Sequence, residues 1–427
     1  MKKYIKSVDV KGLWFVKNIH ISLFDDVNIL IGGNGSGKTT FLHLVEALLN
    51  LEFTTIDDIE FEEVKIVIQT EVQTETLIVQ RLMEDLISPL FRYEFSGGEV
   101  VDIRPSEGRG IYRNRLESRR LFVHLRDRLD ELVNVSWLSI NRISESTDRA
   151  DRRMMELART DVDLKLSQLM NKIISYRLQL ETNVNERTKK FNEDLVSLLL
   201  YNDAYDAFPS FEKIKEFMSY SKDDIIRELH KVYSYFGDAR VHTDDIKQHV
   251  EKVVHIVDKI DTHGSFSPEE MLSLSLMSRT VAILKLSSDY QAERAQILEP
   301  IKTYIDILSQ YLKDKKMEFD TSSSKLIPHV MTGNGKYRAL DVSALSSGEK
   351  QILILLTETL LQQNKPFIFM ADEPELSLHI EWQRNLITSI RSLNPNAQII
   401  FATHAPEIAA NHSKKIINML SVTNYGE

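Results

Sequence analysis

Residues 27–50 read VNILIGGNGSGKTTFLHLVEALLN, an apolar strand, a glycine-rich loop and then a helix expected from about Thr39 onward. Within it Gly32–Thr39 spells G-G-N-G-S-G-K-T, a full match to the G-x-x-x-x-G-K-[ST] phosphate loop in the strand-to-helix setting that the mechanism requires. Glycines let backbone N–H groups turn onto phosphate oxygens, and the helix N-terminus adds positive potential. The nucleotide-binding candidates are therefore Gly32, Gly33, Asn34, Gly35, Ser36, Gly37, Lys38, Thr39 and Thr40. Lys38 is placed to reach the β- and γ-phosphates, and Thr39 to ligate Mg²⁺.

Further along, KPFIFMADEPE gives a buried strand ending in acids. Asp372 suits the magnesium hydration shell. Glu373, one position on, points elsewhere and is free to orient and deprotonate an attacking water. LSSGEKQ (345–351) stands before a helical stripe, so Ser346, Ser347, Gly348 and Glu349 are candidates for a phosphate contact at a helix N-terminus. FSGGEVVD, from Phe95, has a similar look but continues into β-branched residues, and is read as a turn. His404 ends the apolar strand AQIIFAT, where a neutral imidazole can touch a γ-phosphate or the attacking water.

These features fall in two lobes, residues 1–150 and 316–427, around a helical insertion at 151–315. In the insertion Leu166, Met170, Ile173, Leu180 and Val184 form one stripe, and Ile297, Ile301, Tyr304, Leu308 and Tyr311 another. Pro300 is expected to kink or restart the returning helix. Clean heptads are not sustained, which leaves a packed bundle and an extended coiled coil both open. The 427 residues, 42% hydrophobic and 27% charged, suffice for a sizeable core. A net charge of -10 does not favour a dedicated nucleic-acid binder. The absence of cysteine excludes disulfides, Cys-based zinc sites and thiol nucleophiles. With no signal-peptide-like run and no eighteen-residue apolar stretch, the expected location is cytoplasmic, with no membrane span.

On these motifs the chain resembles the ATP-binding-cassette ATPases, in their soluble RecF-like, SMC-like and OLD-like branch. That resemblance implies an α/β P-loop ATPase head split by a helical insertion, with ATP and Mg²⁺ as cofactors. Gly32 to Thr39 resemble Walker A, Ser346 to Glu349 the signature, Asp372 and Glu373 the Walker B pair, Glu375 to His379 the D-loop and His404 the switch histidine. It implies catalytic roles for Glu373, His404 and Lys38, metal ligation by Thr39 and Asp372, and an ATP sandwich between two heads, hence a homodimer or larger oligomer. A Q-loop glutamine is missing, with Asn141 or Arg142 as stand-in. Trp14 and Phe15 lie where such heads often contact the nucleoside, although burial in the core is the expected role.

The long insertion and DEPELSLH argue against a transporter subunit. Only 23 residues follow His404, too few for the Toprim domain of OLD nucleases. The chain thus resembles the stand-alone ATPase subunits of two-gene anti-phage systems, the PARIS type (AriA) first and the Septu type (PtuA) second. The partners this implies are a separate effector, a Toprim or HNH nuclease or toxin, and a phage protein as trigger. The competing reading is a RecF-like DNA-repair ATPase, resting on the arginine-rich stretch RPSEGRGIYRNRLESRRLFVHLRDR, whose interleaved acids favour a solvated or protein-binding face instead.

Overall fold

A computed structural model describes residues 3–83, 89–104, 115–138, 161–198, 200, 210–235, 243–260 and 267–425. The N-terminal lobe runs β1 (Tyr4–Leu13), β2 (Lys17–Ser22), β3 (Val27–Ile31), α1 (Lys38–Asn50), α2 (Phe53–Asp58), β4 (Glu63–Gln69), β5 (Thr74–Leu82), β6 (Leu90–Phe95), β7 (Val100–Ile103), α3 (Arg115–Leu132) and β8 (Val135–Leu138). Helices α4 (Asp161–Ser197), α5 (Phe211–Met218), α6 (Lys222–Ser234), α7 (Thr243–Ile260) and α8 (Pro268–Tyr311) follow. The chain then returns through β9 (Lys315–Phe319), β10 (Leu326–Met331), β11 (Tyr337–Ala339), α9 (Ser347–Leu361), β12 (Phe367–Asp372), α10 (Ile380–Leu393), β13 (Ala397–Ala402), β14 (Ile416–Asn418) and β15 (Thr423–Tyr425).

Five strands form a parallel sheet in the order β14-β3-β13-β12-β8. β12 and β13 are almost wholly buried, which is why FIFMAD and AQIIFA read as continuous apolar runs rather than alternating ones. Leu30 pairs with Ala402 and Ala402 with Asp372, so β3, β13 and β12 end in one row. Ligands of open α/β sheets bind outside such carboxyl ends.

A second, antiparallel sheet has the order β15-β2-β1-β4-β5-β6-β7. Its alternating residues, among them Val8, Val10, Ile66 and Val79, share one core with Phe41, Leu44 and Leu48 of α1 and with Ile368, Met370 and Ile400 of the parallel sheet. Gln398 joins the two sheets: its side chain accepts from Ile5 N and donates to Ile5 O and Phe24 O, each at 2.8 Å. It is fully buried, so these bonds meet the requirement that a buried polar side chain be satisfied.

The chain divides into two compact units, Met1–Ser175 with Pro300–Glu427, and Tyr176–Glu299. The division falls within α4 and α8, so the roots of both long helices belong to the unit that carries the sheets. The second unit is a packed helical unit with its own apolar cluster, including Phe217, Leu229, Val250, Val257, Met277 and Leu284. Pro300 does not restart the returning helix: it sits inside α8. Among the described residues no helix is long and apolar enough to cross a membrane.

Candidate functional site

The phosphate loop leaves β3 and turns into α1 through Gly35 and Gly37, at φ 76° and 93°. A Cβ at either would meet nothing within 4 Å, so glycine is needed there for backbone conformation rather than for space. α1 has no side-chain cap at its N-terminus. Its first-turn amides therefore stay available to an anion. Lys17 of β2 braces the loop by donating to Gly35 O at 3.0 Å. Lys38 is buried, and its ammonium donates to Gly32 O at 2.9 Å and to His404 Nε2 at 2.8 Å.

Asp372 closes β12 and takes the Thr39 hydroxyl as a hydrogen-bond partner, while its Oδ1 is buried with none. Burial raises its pKa, against the opposing pull of Thr39 and Lys38. An orphaned carboxylate oxygen beside a hydroxyl is the donor set that a hard cation takes, with water and phosphate completing its shell. The residues fit Mg²⁺ on that ground. Among the described residues no cluster of three or more acidic, histidine or cysteine side chains forms a self-sufficient metal cage. Two protein ligands plus substrate oxygens is the usual arrangement for Mg²⁺ in ATPases.

Glu373 leaves the strand with φ 49°, its amide donating to Ala402 O at 2.8 Å. Its Oε1 lies 3.6 Å from His404 Nε2. Burial, followed by the charges of Glu375 and Asp372, pushes its pKa up to about 7. The structure thus gathers Lys38, Thr39, Asp372, Glu373 and His404 at the ends of three neighbouring strands.

Within this head the signature residues make local contacts. Ser346 caps α9, its hydroxyl accepting from Glu349 N at 3.4 Å, and the Glu349 carboxylate accepts from Ser346 N at 2.8 Å. Glu349 also holds Lys315 at 2.6 Å. Ser347 is exposed, and Gly348 is buried under the turn after β12. A Cβ at Gly348 would stand 2.4 Å from Ser377 O, and Gln351 donates to Pro374 O at 2.6 Å. Gly348 and Gln351 thereby join the start of α9 to the turn carrying Glu373.

Trp14 and Phe15 depart from the expectation of burial. They form the exposed β1–β2 turn, 45% and 74% accessible, with φ of 51° and 63°. Asn141, Arg142 and residues 105–114 of the arginine-rich stretch lie outside the described residues. In its described part, Arg119, Arg120 and Arg126 are exposed on α3, while Arg128 pairs with Glu99 and Glu131.

The sequence matches the AAA_15 family, AAA ATPase domain, over residues 1–409. The chain belongs to the AAA_15 family of ATPases. Relatives of this AAA_15 chain include the Retron Vc95 probable ATPase of Vibrio cholerae serotype O1 biovar El Tor, 22% identical over 413 residues, which are 94% of this chain and 70% of that protein. The Retron Ec83 probable ATPase of Escherichia coli is 31% identical over 142 residues, 29% of this chain and 26% of that protein. Among solved structures, the Smc head domain of Pyrococcus furiosus with an extended coiled coil, bound to the C-terminal domain of ScpA, aligns with a TM-score of 0.44 at 13% identity, over 99% of this chain and 96% of that one. The Smc head domain of Pyrococcus yayanosii with a coiled coil and joint gives 0.40 at 15% identity, over 97% and 95%. This AAA_15 chain is an ATPase whose P-loop head is split by a helical insertion.

Proposed function

We propose that this ATPase is the nucleotide-driven subunit of an anti-phage defence system, one that holds a separate effector protein and releases or activates it on infection. The observation that carries this reading is the relation to a retron ATPase across 94% of the chain. It adds retrons to the PARIS and Septu systems as an analogy for this reading. The effector class, a nuclease or toxin, is part of the proposal, as is assembly of two or more heads around ATP.

The chain's own residues support a mechanism in which Gly32–Thr39 wrap the phosphates. Lys38, drawn off His404 and the Gly32 carbonyl, neutralises the β- and γ-phosphates. Mg²⁺, held by Thr39 and Asp372, would offset phosphate charge. Glu373 accepts the proton of the attacking water, and His404, released from Lys38, contacts the γ-phosphate or that water. Trp14 and Phe15, exposed near the loop that Lys17 braces, are offered as a surface for the base. Ser347 would meet the nucleotide of a second head.

Energy reaches the arm through α9. Lys165 of α4 pairs with Glu358 at 2.5 Å, Asp163 with Lys350 at 2.8 Å, and Tyr304 of α8 shares a 2.6 Å hydroxyl bond with Thr357. A second head that shifts Ser347 therefore pulls on both helix roots. Closure can move the arm only by the differential affinity of open and closed states for ATP.

Purifying the tagged chain from its native host tests the reading. A co-purifying nuclease or toxin that leaves on ATP turnover supports it. DNA with replication proteins, bound with a steep salt dependence, would favour the RecF-like reading and overturn it.

A further inference from the structure

Glu375 stands two residues beyond the proposed base, and its carboxylate is turned inward, 7% exposed. The resemblance assigns this position to the D-loop, and the side chain bonds within its own head. Oε1 accepts from the Thr403 hydroxyl, from His404 N at 3.2 Å and from Ala405 N at 3.1 Å. Oε2 is buried and takes no donor from that loop, and the Glu373 side chain is hydrogen-bonded to the Glu375 carboxyl group. All three donors belong to one loop, the one that carries His404 off β13.

The turn that carries Glu375 is itself fixed. Gln351 holds Pro374 O, and Leu378 N donates to Glu375 O at 2.9 Å. On the far side, Thr403 N donates to Leu30 O at 3.1 Å, tying the loop to the strand before the phosphate loop. A buried carboxylate accepting several bonds makes charge-assisted contacts, among the stronger hydrogen bonds available to a protein. With its backbone held, the His404 imidazole has two side-chain torsions left, and its contact with Lys38 uses them.

We propose that Glu375 is a positioning residue for hydrolysis: it locks the Thr403–Ala405 loop so that the His404 imidazole stands over the γ-phosphate position. This rests on the catalytic reading of His404. Toward the loop the carboxylate acts as an acceptor, because its three partners there are all donors. A glutamine offers one acceptor oxygen of the same shape to the loop, and its NH₂ would replace the oxygen that takes no donor from the loop.

The experiment compares steady-state ATPase kinetics and fluorescent-nucleotide binding for E375A, E375Q, H404A and the E375A/H404A double variant. Misplacing a reacting group by about 1 Å costs on the order of a hundredfold, so kcat of E375A should fall by about that factor while nucleotide affinity holds. E375Q should retain most of the turnover, and the double variant should be no slower than H404A, since residues acting through one another are not additive. Wild-type kcat in E375A beside a slow H404A overturns this proposal alone. So does E375Q falling as far as E375A, or losses that multiply in the double variant. An undiminished H404A removes the underlying reading of the histidine, and the proposal with it. If E375A does not fold, T403V, which deletes one of the three donors, carries the same test with a loss of about tenfold.

Discussion

Glu373 occupies a left-handed backbone conformation at φ 49°, which non-glycine side chains seldom adopt. Its amide bond to Ala402 O holds it there. E373Q should keep ATP binding and lose about two to four orders of magnitude of turnover, the range of general-base catalysis, with ATP-bound assemblies accumulating. Normal turnover of E373Q would remove it from that role. The same residue gives a pH dependence to the nucleotide-free protein. Its folded pKa, about 7, exceeds the ordinary 4.5, so the folded state binds the proton more tightly. The contribution is complete below about pH 4.5 and is lost as pH rises through 7. In EDTA, wild-type Tm should therefore fall relative to that of E373Q between pH 5 and 8; parallel curves would contradict the assignment. K38A should weaken nucleotide binding at least about tenfold by removing the ammonium from the phosphates, and unchanged affinity would overturn the phosphate-loop reading. Lys38, Asp372, Glu373 and His404 were legible because each ends an apolar strand or glycine loop. The Lys38–His404 bond was not, because it spans 366 residues and depends on β13 lying beside β3.

At the scale of elements, α9 is the shared support. Glu358 is buried, and burial raises its pKa against the pull of Lys165. K165M removes that pull, so the folded pKa of Glu358 rises further. Lys165 is itself 44% exposed, so the loss of stability should be modest, about 1–2 kcal/mol. It should be larger at pH 8 than at pH 5, where protonation relieves the stranded carboxylate, and denaturant melts at both values check this. G348A should push Ser377 O away and disturb the Glu373 turn, lowering kcat by about tenfold or more at little cost in nucleotide affinity. The sequence showed that a glycine precedes a helical stripe and pointed it at a phosphate. Its second role, close approach to the turn after β12, needed the packing of α9 against that turn.

At the scale of the molecule, the sequence showed two α/β lobes around a helical insertion, since strand runs and helical stripes have different periods. It left the insertion open between coiled coil and bundle. The reason is physical: the long helices also pack against short ones, Met277 and Leu284 of α8 with Phe217, Leu229 and Val250, and Phe191 and Leu195 of α4 with Val232, so their apolar positions do not follow a two-helix heptad. The ends of α1 and α9 differ, and in the proposed assembly of two heads that difference would divide labour between protomers. α1 leaves its N-terminus open, whereas α9 closes its own with Ser346 and Glu349. A helix end that already satisfies itself gains little from an arriving phosphate, so in the proposed assembly affinity would be stored at α1 of one protomer and α9 would read what another protomer holds. S347R should accordingly leave nucleotide affinity of dilute protein within about twofold while abolishing ATP-dependent assembly and turnover, as followed by sedimentation and phosphate release. On that proposal holding and reading are separate tasks, and a head would stay loaded with ATP for as long as no second head arrives to read it.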